Sequence, residues 1–86
     1  MQKFEFILHS DISNVADTVR SVLRSIPDIE ILGIWCTSCS HRDFFTGEVI
    51  PAVRIETIFC GDVDTLLTGM SNHFGTQLLA SCHYPL

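Results

Sequence analysis

Two segments with helical periodicity, each lying between runs that alternate polar and apolar residues, constrain the fold of this chain more than any other feature. Apolar residues recur at three-and-four spacing in both segments: Ile12, Val15, Ala16, Val19, Val22, Leu23 and Ile26 in the first, and Val63, Leu66, Leu67, Met70 and Phe74 in the second. Such spacing gives a helix one apolar face. The sequence therefore predicts two amphipathic helices, the first capped by Ser10 or Asp11 and ended by Pro27, the second lying between Asp62 and Gly75.

The segments around these helices are typical of strands. Residues 2–9, 49–60 and 76–84 alternate between polar and apolar side chains, and residues 29–37 form a short apolar run that is rich in isoleucine. Residues 38–48 mix Ser, His, Arg, Asp and Gly, which predicts a loop. The predicted order is strand, helix, strand, strand, helix, strand.

Right-handed crossovers in two strand–helix–strand units place both helices on one face of a four-stranded antiparallel sheet with strand order 4-1-3-2. The sequence thus predicts an α+β fold of the ferredoxin-like βαββαβ type. Because 86 residues are too few for two cores, residues 1–86 are expected to form a single domain.

The two faces of that sheet are predicted to differ. Under the helices we expect a core containing Phe4, Phe6, Leu8, Val53, Ile55, Phe59, Leu78 and Ala80. The opposite face is expected to carry Ile7, Leu32, Ile34, Ile58 and Leu79. An apolar patch of this kind indicates an interface with another subunit, whereas single exposed apolar residues are also common on monomers.

Charge and hydropathy exclude several classes of protein. The net charge is −5, and the five basic residues are scattered, which argues against binding to nucleic acid. No run approaches the roughly 20 apolar residues that a membrane span needs, so membrane insertion is not expected. The start of the chain alternates polar and apolar residues and does not resemble a signal peptide. These features predict a cytoplasmic protein whose four cysteines are reduced thiols.

The chain resembles the PII-like superfamily, and in particular the short PII-like proteins associated with metal-efflux systems. The similar stretches are KFEFILHSDISNVADTVRSVLRSI, ILGIWCTSCS and VRIETIFCGDVDTLLTGMSNHFGTQLLA. The resemblance implies a trimeric regulatory or signalling protein with a partner such as a membrane transporter. The chain departs from nucleotide-binding PII proteins, since NHFGTQ after the second helix lacks the lysine-bearing phosphate turn. ACT domains share the fold, which leaves a module that binds small ligands or other proteins as the alternative.

Cysteine and histidine residues form the most suggestive chemical pattern. Cys36, Cys39 and His41 lie within CTSCSH, and thiolate and imidazole groups are preferred ligands of zinc and copper(I). We expect the topology to bring Cys82 and His83 towards them. The metal-site prediction is therefore Cys36, Cys39, His41, Cys82 and His83. In the alternative interpretations the cysteines only pack as small apolar residues, or Cys36 and Cys39 form a redox pair.

A second, weaker cluster is expected where His9 and Cys60 end the central strands, close to Asp62 and Asp64. The two acidic residues are explained more simply by capping of the second helix. No nucleophile, base and acid set and no pair of carboxylates facing a cleft can be placed on this pattern. The sequence therefore predicts a protein that is not an enzyme.

Overall fold

A computed structural model describes all 86 residues of the chain. Its elements are β1 (Gln2–His9), α1 (Val15–Ser25), β2 (Glu30–Arg42), β3 (Val49–Cys60), α2 (Val63–Phe74) and β4 (Leu78–Pro85), with a short 3₁₀ turn at Gly75–Gln77 before β4. The predicted order of elements is confirmed, and β1 and β3 occupy the predicted residues.

The strands form one four-stranded sheet in the order β2-β3-β1-β4, and all neighbouring strands are antiparallel. This is the predicted ferredoxin-like arrangement of an α+β domain. β1 and β3 lie at the centre of the sheet, whereas β2 and β4 form its two edges. The outer edge of β2 therefore has no partner strand within the chain.

One hydrophobic core lies between the sheet and the helices. Residues of both helices meet alternate residues of the central strands in this core: Phe4, Phe6, Leu8, Val19, Val22, Leu23, Ile26, Val53, Ile55, Phe59, Leu66, Met70 and Phe74. Because α1 and α2 share this cluster, both cover the same face of the sheet. The opposite face, which we call the open face, carries no helix.

The start of α1 differs from the prediction. Asn14, with a φ of 49°, precedes the first helical residue, Val15. Asp11 does not cap the helix, because its carboxylate lies 3.0 Å from Nδ1 of His9 and its N–H donates to the same nitrogen. In contrast, Asp62 caps α2 as predicted by accepting a hydrogen bond from the backbone N–H of Thr65 at 2.9 Å.

The predicted loop at residues 38–48 is largely a β-hairpin. β2 continues to Arg42, and only residues 43–48 form the turn. The turn closes through hydrogen bonds from Asp43 N–H to Glu48 C=O and from Gly47 N–H to Asp43 C=O. The hairpin extends beyond the ends of β1 and β4, so neither of its faces covers the core. Because no apolar alternation is required there, residues 38–48 are mostly polar, and their sequence resembles that of a loop.

Two register irregularities change which residues face the helices. The β2–β3 register shifts between Ile31 and Gly33, which places Ile34 beside buried Thr57 and turns Trp35 to the open face. The β1–β4 register shifts between Ile7 and Leu8, so Ala80 pairs with Ile7 on the open face. The predicted positions of Ile34 on the open face and Ala80 in the core were therefore wrong.

Candidate functional site

The open face presents a mixed apolar and charged surface. Rows of directly paired residues cross the sheet. Three of them run from β2 to β4: Gly33, Ile58, Lys3 and Tyr84; Trp35, Glu56, Glu5 and Cys82; and Thr37, Arg54, Ile7 and Ala80. A fourth row, Cys39, Ala52 and His9, ends at β1. Trp35 is 53% exposed and Tyr84 41% exposed. Large aromatic side chains left this exposed beside half-buried Ile7 and Ile58 indicate a binding surface.

Trp35 lies flat along its own strand. A Cβ atom on Gly33 would stand only 2.5 Å from Cη2 of the Trp35 ring, so the ring occupies the space that a side chain at position 33 would need. Together with Lys3, Glu56 and Ile58, the ring lines a shallow depression of about 260 Å³. Glycine at position 33 therefore permits the tryptophan to form one wall of this surface.

The charged groups of the open face are partly paired with one another. The Glu56 carboxylate lies 3.7 Å from Lys3 Nζ and 3.7 Å from Arg54 Nε. Lys3 Nζ also lies 5.3 Å from the centre of the Tyr84 ring, a cation–π distance. A hydrogen bond with the Cys82 side chain raises the pKa of Tyr84, and the charges of Cys82 and Glu5 raise it further. Such internal pairing reduces the cost of covering the face with another protein surface.

The β2–β3 hairpin carries a second exposed apolar group. Phe44 is 91% exposed and Phe45 fully exposed at its tip. The turn beneath them is ordered, since Oδ1 of Asp43 accepts hydrogen bonds from the N–H groups of Phe45 at 2.8 Å and Thr46 at 3.3 Å. The chain therefore holds two aromatic side chains in solvent on a structured support.

The structure separates Cys36 from Cys39. The β2–β3 register is regular from Gly33 to Arg42, so residues three apart lie on opposite faces. Cys36 pairs with buried Ile55 and packs against the core, whereas Cys39 pairs with Ala52 on the open face. Burial raises the pKa of the Cys36 thiol, and the nearby Arg20 guanidinium partly opposes this shift. His41 lies two residues from Cys39, and therefore on the same face as Cys39.

Cys82 and His83 do not approach these residues. β4 is the other edge strand and runs antiparallel to β2, so the end of β4 lies near the start of β2, three strand spacings or about 14 Å away. The expectation that the topology would join them to Cys36, Cys39 and His41 was therefore wrong. His83 faces the helix side, where Nε2 lies 2.6 Å from Oε1 of Gln2 and the ring stacks on Phe4.

The weaker cluster at His9 and Cys60 is also not formed. β1 and β3 are antiparallel, so their last residues lie at opposite ends of the sheet, His9 beside Ala52 and Cys60 beside Glu30. No three histidine, cysteine, aspartate or glutamate side chains of the chain are close enough to hold one metal ion together. All four cysteines are free thiols.

A groove of about 670 Å³ runs between the two helices on the other side of the molecule. Its walls are mainly polar and include Asp62, Thr68, Asn72 and His73. The groove narrows where α2 approaches Ile26, since a Cβ on Gly69 would lie 2.7 Å from two atoms of that side chain. This groove is the candidate position for a small polar ligand.

Sequence reasoning identified Ile7 and Ile58 on the open face but missed Trp35, Tyr84 and Ala80. The bulge at Leu32 exchanges the faces on which the following residues of β2 lie. The apolar run of β2 does not alternate strictly, so its sequence gives no sign of the bulge. For Tyr84, the pairing with Lys3 shows the face directly, whereas strict alternation from Leu78 would put both residues on one side of the sheet and does not account for the register shift in β4.

Comparison with known proteins gives one partial likeness. The chain is 30% identical over 70 residues, 81% of its length, to a stretch of the calcium-activated potassium channel slo-1 of Caenorhabditis elegans. The chain spans only 6% of the length of that channel. No family model matches the chain, and no solved structure matches it. Neither helix of the chain has both the length and the apolar character that crossing a membrane requires.

Proposed function

We propose that this chain is a small non-catalytic regulatory or sensor domain of PII-like type. In this proposal it is cytoplasmic and works as a homo-oligomer, a trimer by its resemblance to PII-like proteins, in which the open faces of the subunits pack together. The hairpin tip with Phe44 and Phe45 then remains available to a partner protein.

The observation that carries this proposal is the composition of the open face. Trp35, Tyr84, Ile7 and Ile58 leave apolar surface in solvent, although the two helices bury the apolar core residues on the other side of the same sheet. Burial of apolar surface contributes about 25 cal/mol per Å², so covering such a face with a second copy is favourable. The ion pairs of Glu56 with Lys3 and Arg54 allow the charged residues to be covered with their charges already matched.

A membrane transport protein is the proposed partner. A relative that resembles 70 residues of this chain is named a calcium-activated potassium channel. That likeness supports a regulatory domain that acts beside, or as a part of, a transport protein. The two exposed phenylalanines offer a contact point for such a partner.

The mass of the metal-free protein in solution tests the assembly. We expect a multiple of the 9.6 kDa chain mass by light scattering in EDTA and reducing agent. Ile7→Glu places a charge at the centre of the open face and should reduce the mass to that of one chain. Phe45→Ser removes a fully exposed apolar group away from that face and should leave the assembly intact.

The proposal would be contradicted if the wild-type protein were monomeric, or if Ile7→Glu and Phe45→Ser dissociated the assembly equally. Circular dichroism of Ile7→Glu must show the wild-type content of helix and strand, so that loss of assembly is not loss of fold.

The interhelical groove favours one alternative, a small-ligand module of ACT type. Its polar walls can meet a polar ligand through Asp62, Asn72 and His73. A thermal-shift screen with the common amino acids tests this function. A rise in melting temperature that Thr68→Trp abolishes would favour it, whereas no response to any amino acid would argue against it.

A further inference from the structure

The outer edge of β2 is unusually open to pairing. It is 13 residues long, contains no proline or lysine, and has its charged residues only at its two ends, Glu30 and Arg42. Natural edge strands are usually short or protected by lysine, proline or a covering segment, because free N–H and C=O groups recruit further strands. The other edge strand, β4, has 8 residues and ends in Pro85. β2 is therefore the edge at which a second chain can add.

The hydrogen bonds of β3 show which groups of β2 point outwards. The C=O of Pro51 accepts a hydrogen bond from Ser10 N–H at 3.2 Å, so the peptide groups of Pro51 face β1. Ser40 is the residue paired with Pro51. Ser40 and Pro51 are therefore a pair without hydrogen bonds between them. In an antiparallel ladder both members of a pair of this kind point their backbone polar groups away from each other. The N–H and C=O of Ser40 consequently point to the free edge.

We propose that two copies of the chain pair antiparallel along β2 with Ser40 opposite Ser40, and that Cys39 and His41 of both copies form a tetrahedral zinc site. Pairing about Ser40 is a two-fold arrangement in which each copy presents the same groups to the other, as isologous interfaces require. Ser40 N–H of each copy then donates to Ser40 C=O of the other.

This register places the ligands together. Cys39 of each copy lies opposite His41 of the other copy. The two residues of each such pair share no backbone hydrogen bond. Pairs of that type bring their side chains closest, with Cβ atoms about 4.5–5.5 Å apart. Residues 39 and 41 of one strand are separated by about 6.6 Å on the same face. Two thiolates and two imidazoles in such an arrangement match a structural Cys₂His₂ zinc site.

Each chain supplies only half of this site. No three potential ligands of one chain come together, and Cys36 lies on the helix side of β2. The second copy therefore contributes ligands without which the metal is not held. The site uses the free edge of β2 and does not depend on association through the open face.

Zinc titration of the reduced protein tests the ligand set. With zinc alone as the probe, we expect one zinc ion bound per two chains and at least a doubling of the mass by light scattering, reversed by EDTA. Loss of a residue that only supports a metal ligand weakens metal affinity by about 10–100-fold. Cys39→Ser and His41→Ala each remove a ligand itself, so each should weaken zinc affinity by more than this. Cys36→Ser, on the same strand but the opposite face, should bind as wild type.

One zinc per chain, equal loss in Cys36→Ser and Cys39→Ser, or no zinc binding would each overturn the proposal. The titration is repeated in Ile7→Glu, which lacks open-face association under the proposed function. If that variant still pairs when zinc is added, again at one zinc per two chains, the zinc site at the β2 edge is independent of open-face association. Failure of zinc binding leaves the metal-free mass unchanged, so the two proposals fail separately.

The edge itself is tested at Ser40. Ser40→Pro removes the outward N–H without removing a hydrogen bond to β3, so the monomer should keep its fold, checked by circular dichroism. Pairing and tight zinc binding should both be lost. Ser40→Ala keeps the N–H and should retain both. Wild-type zinc binding by folded Ser40→Pro would exclude pairing along β2.

Discussion

The helix-covered face and the open face of the sheet are formed by alternate residues of the same strands, yet they differ in what their apolar side chains contact. Phe6, Leu8, Ile55 and Phe59 are fully buried beneath the two helices. On the open face Trp35 and Tyr84 remain about half exposed. The covered face therefore determines whether the chain folds, and the open face is available for binding. Substitutions on the two faces should separate stability from association.

The largest difference is expected for large aromatic residues. Phe6→Ala should lower the free energy of unfolding by about 3–5 kcal/mol, because it removes a fully buried ring from the core. Trp35→Ala removes a larger ring from the open face and should cost less than about 1 kcal/mol in the monomer. Urea denaturation in EDTA measures both when each substitution is made in Ile7→Glu, which lacks open-face association. Equal losses would show that the open face is part of the folding core.

A smaller difference is expected for threonine. Thr57 is the one buried polar residue on the covered face, and its hydroxyl donates to the C=O of Gly33 at 3.0 Å. Thr57→Val should destabilise the chain by about 0.5–1.5 kcal/mol, since it removes a hydrogen bond to a part-buried carbonyl. Thr37→Val on the open face should change stability by less than about 0.5 kcal/mol. Reversal of this order in thermal denaturation would contradict the assignment of faces.

The two faces should also differ in cysteine chemistry. Burial raises the pKa of Cys36 above its ordinary value of 9.0, so the folded state disfavours the thiolate. The stability linked to this thiol is complete below the unfolded pKa and is lost as pH rises through the folded pKa. In a variant that keeps only Cys36, the pH midpoint of iodoacetamide labelling should be higher in the native chain than in urea. Identical midpoints would refute burial of Cys36.

The smallest effect is expected at Gly33. Gly33→Val requires space that the Trp35 ring occupies, but the ring is half exposed and can swing into solvent. Stability should change by less than about 1 kcal/mol, since valine also favours strands. The fluorescence of Trp35, the single tryptophan of the chain, should shift to longer wavelength. Ser38→Val on the other face is the control, and an equal shift there would argue against contact between the ring and Gly33.

Sequence periodicity predicted most of the fold because burial on one face imposes it. The bounds of β1 and β3, the two helices and the strand order all followed from that pattern. The hairpin at residues 38–48 was missed because its strands extend past the core, where no apolar alternation is required. The parity of Trp35 and Ala80 was missed because a bulge shifts the register without changing composition.

The candidate site was less predictable than the fold. Cys36 and Cys39 are close in sequence, but the continuous strand puts them on opposite faces. Cys82 and His83 were placed with them by an error in strand direction, since antiparallel β2 and β4 end at opposite ends of the sheet. Spacing along the chain suggested the ligand types, whereas only register shows which ligands can meet.

Dilution of the metal-free protein, followed by mass and by Trp35 fluorescence together, tests most directly whether other copies cover the open face. We predict a multiple of the chain mass at high concentration, with tryptophan emission that moves to longer wavelength as the assembly dissociates. A mass of 9.6 kDa at every concentration, with unchanged emission, would contradict a covered open face.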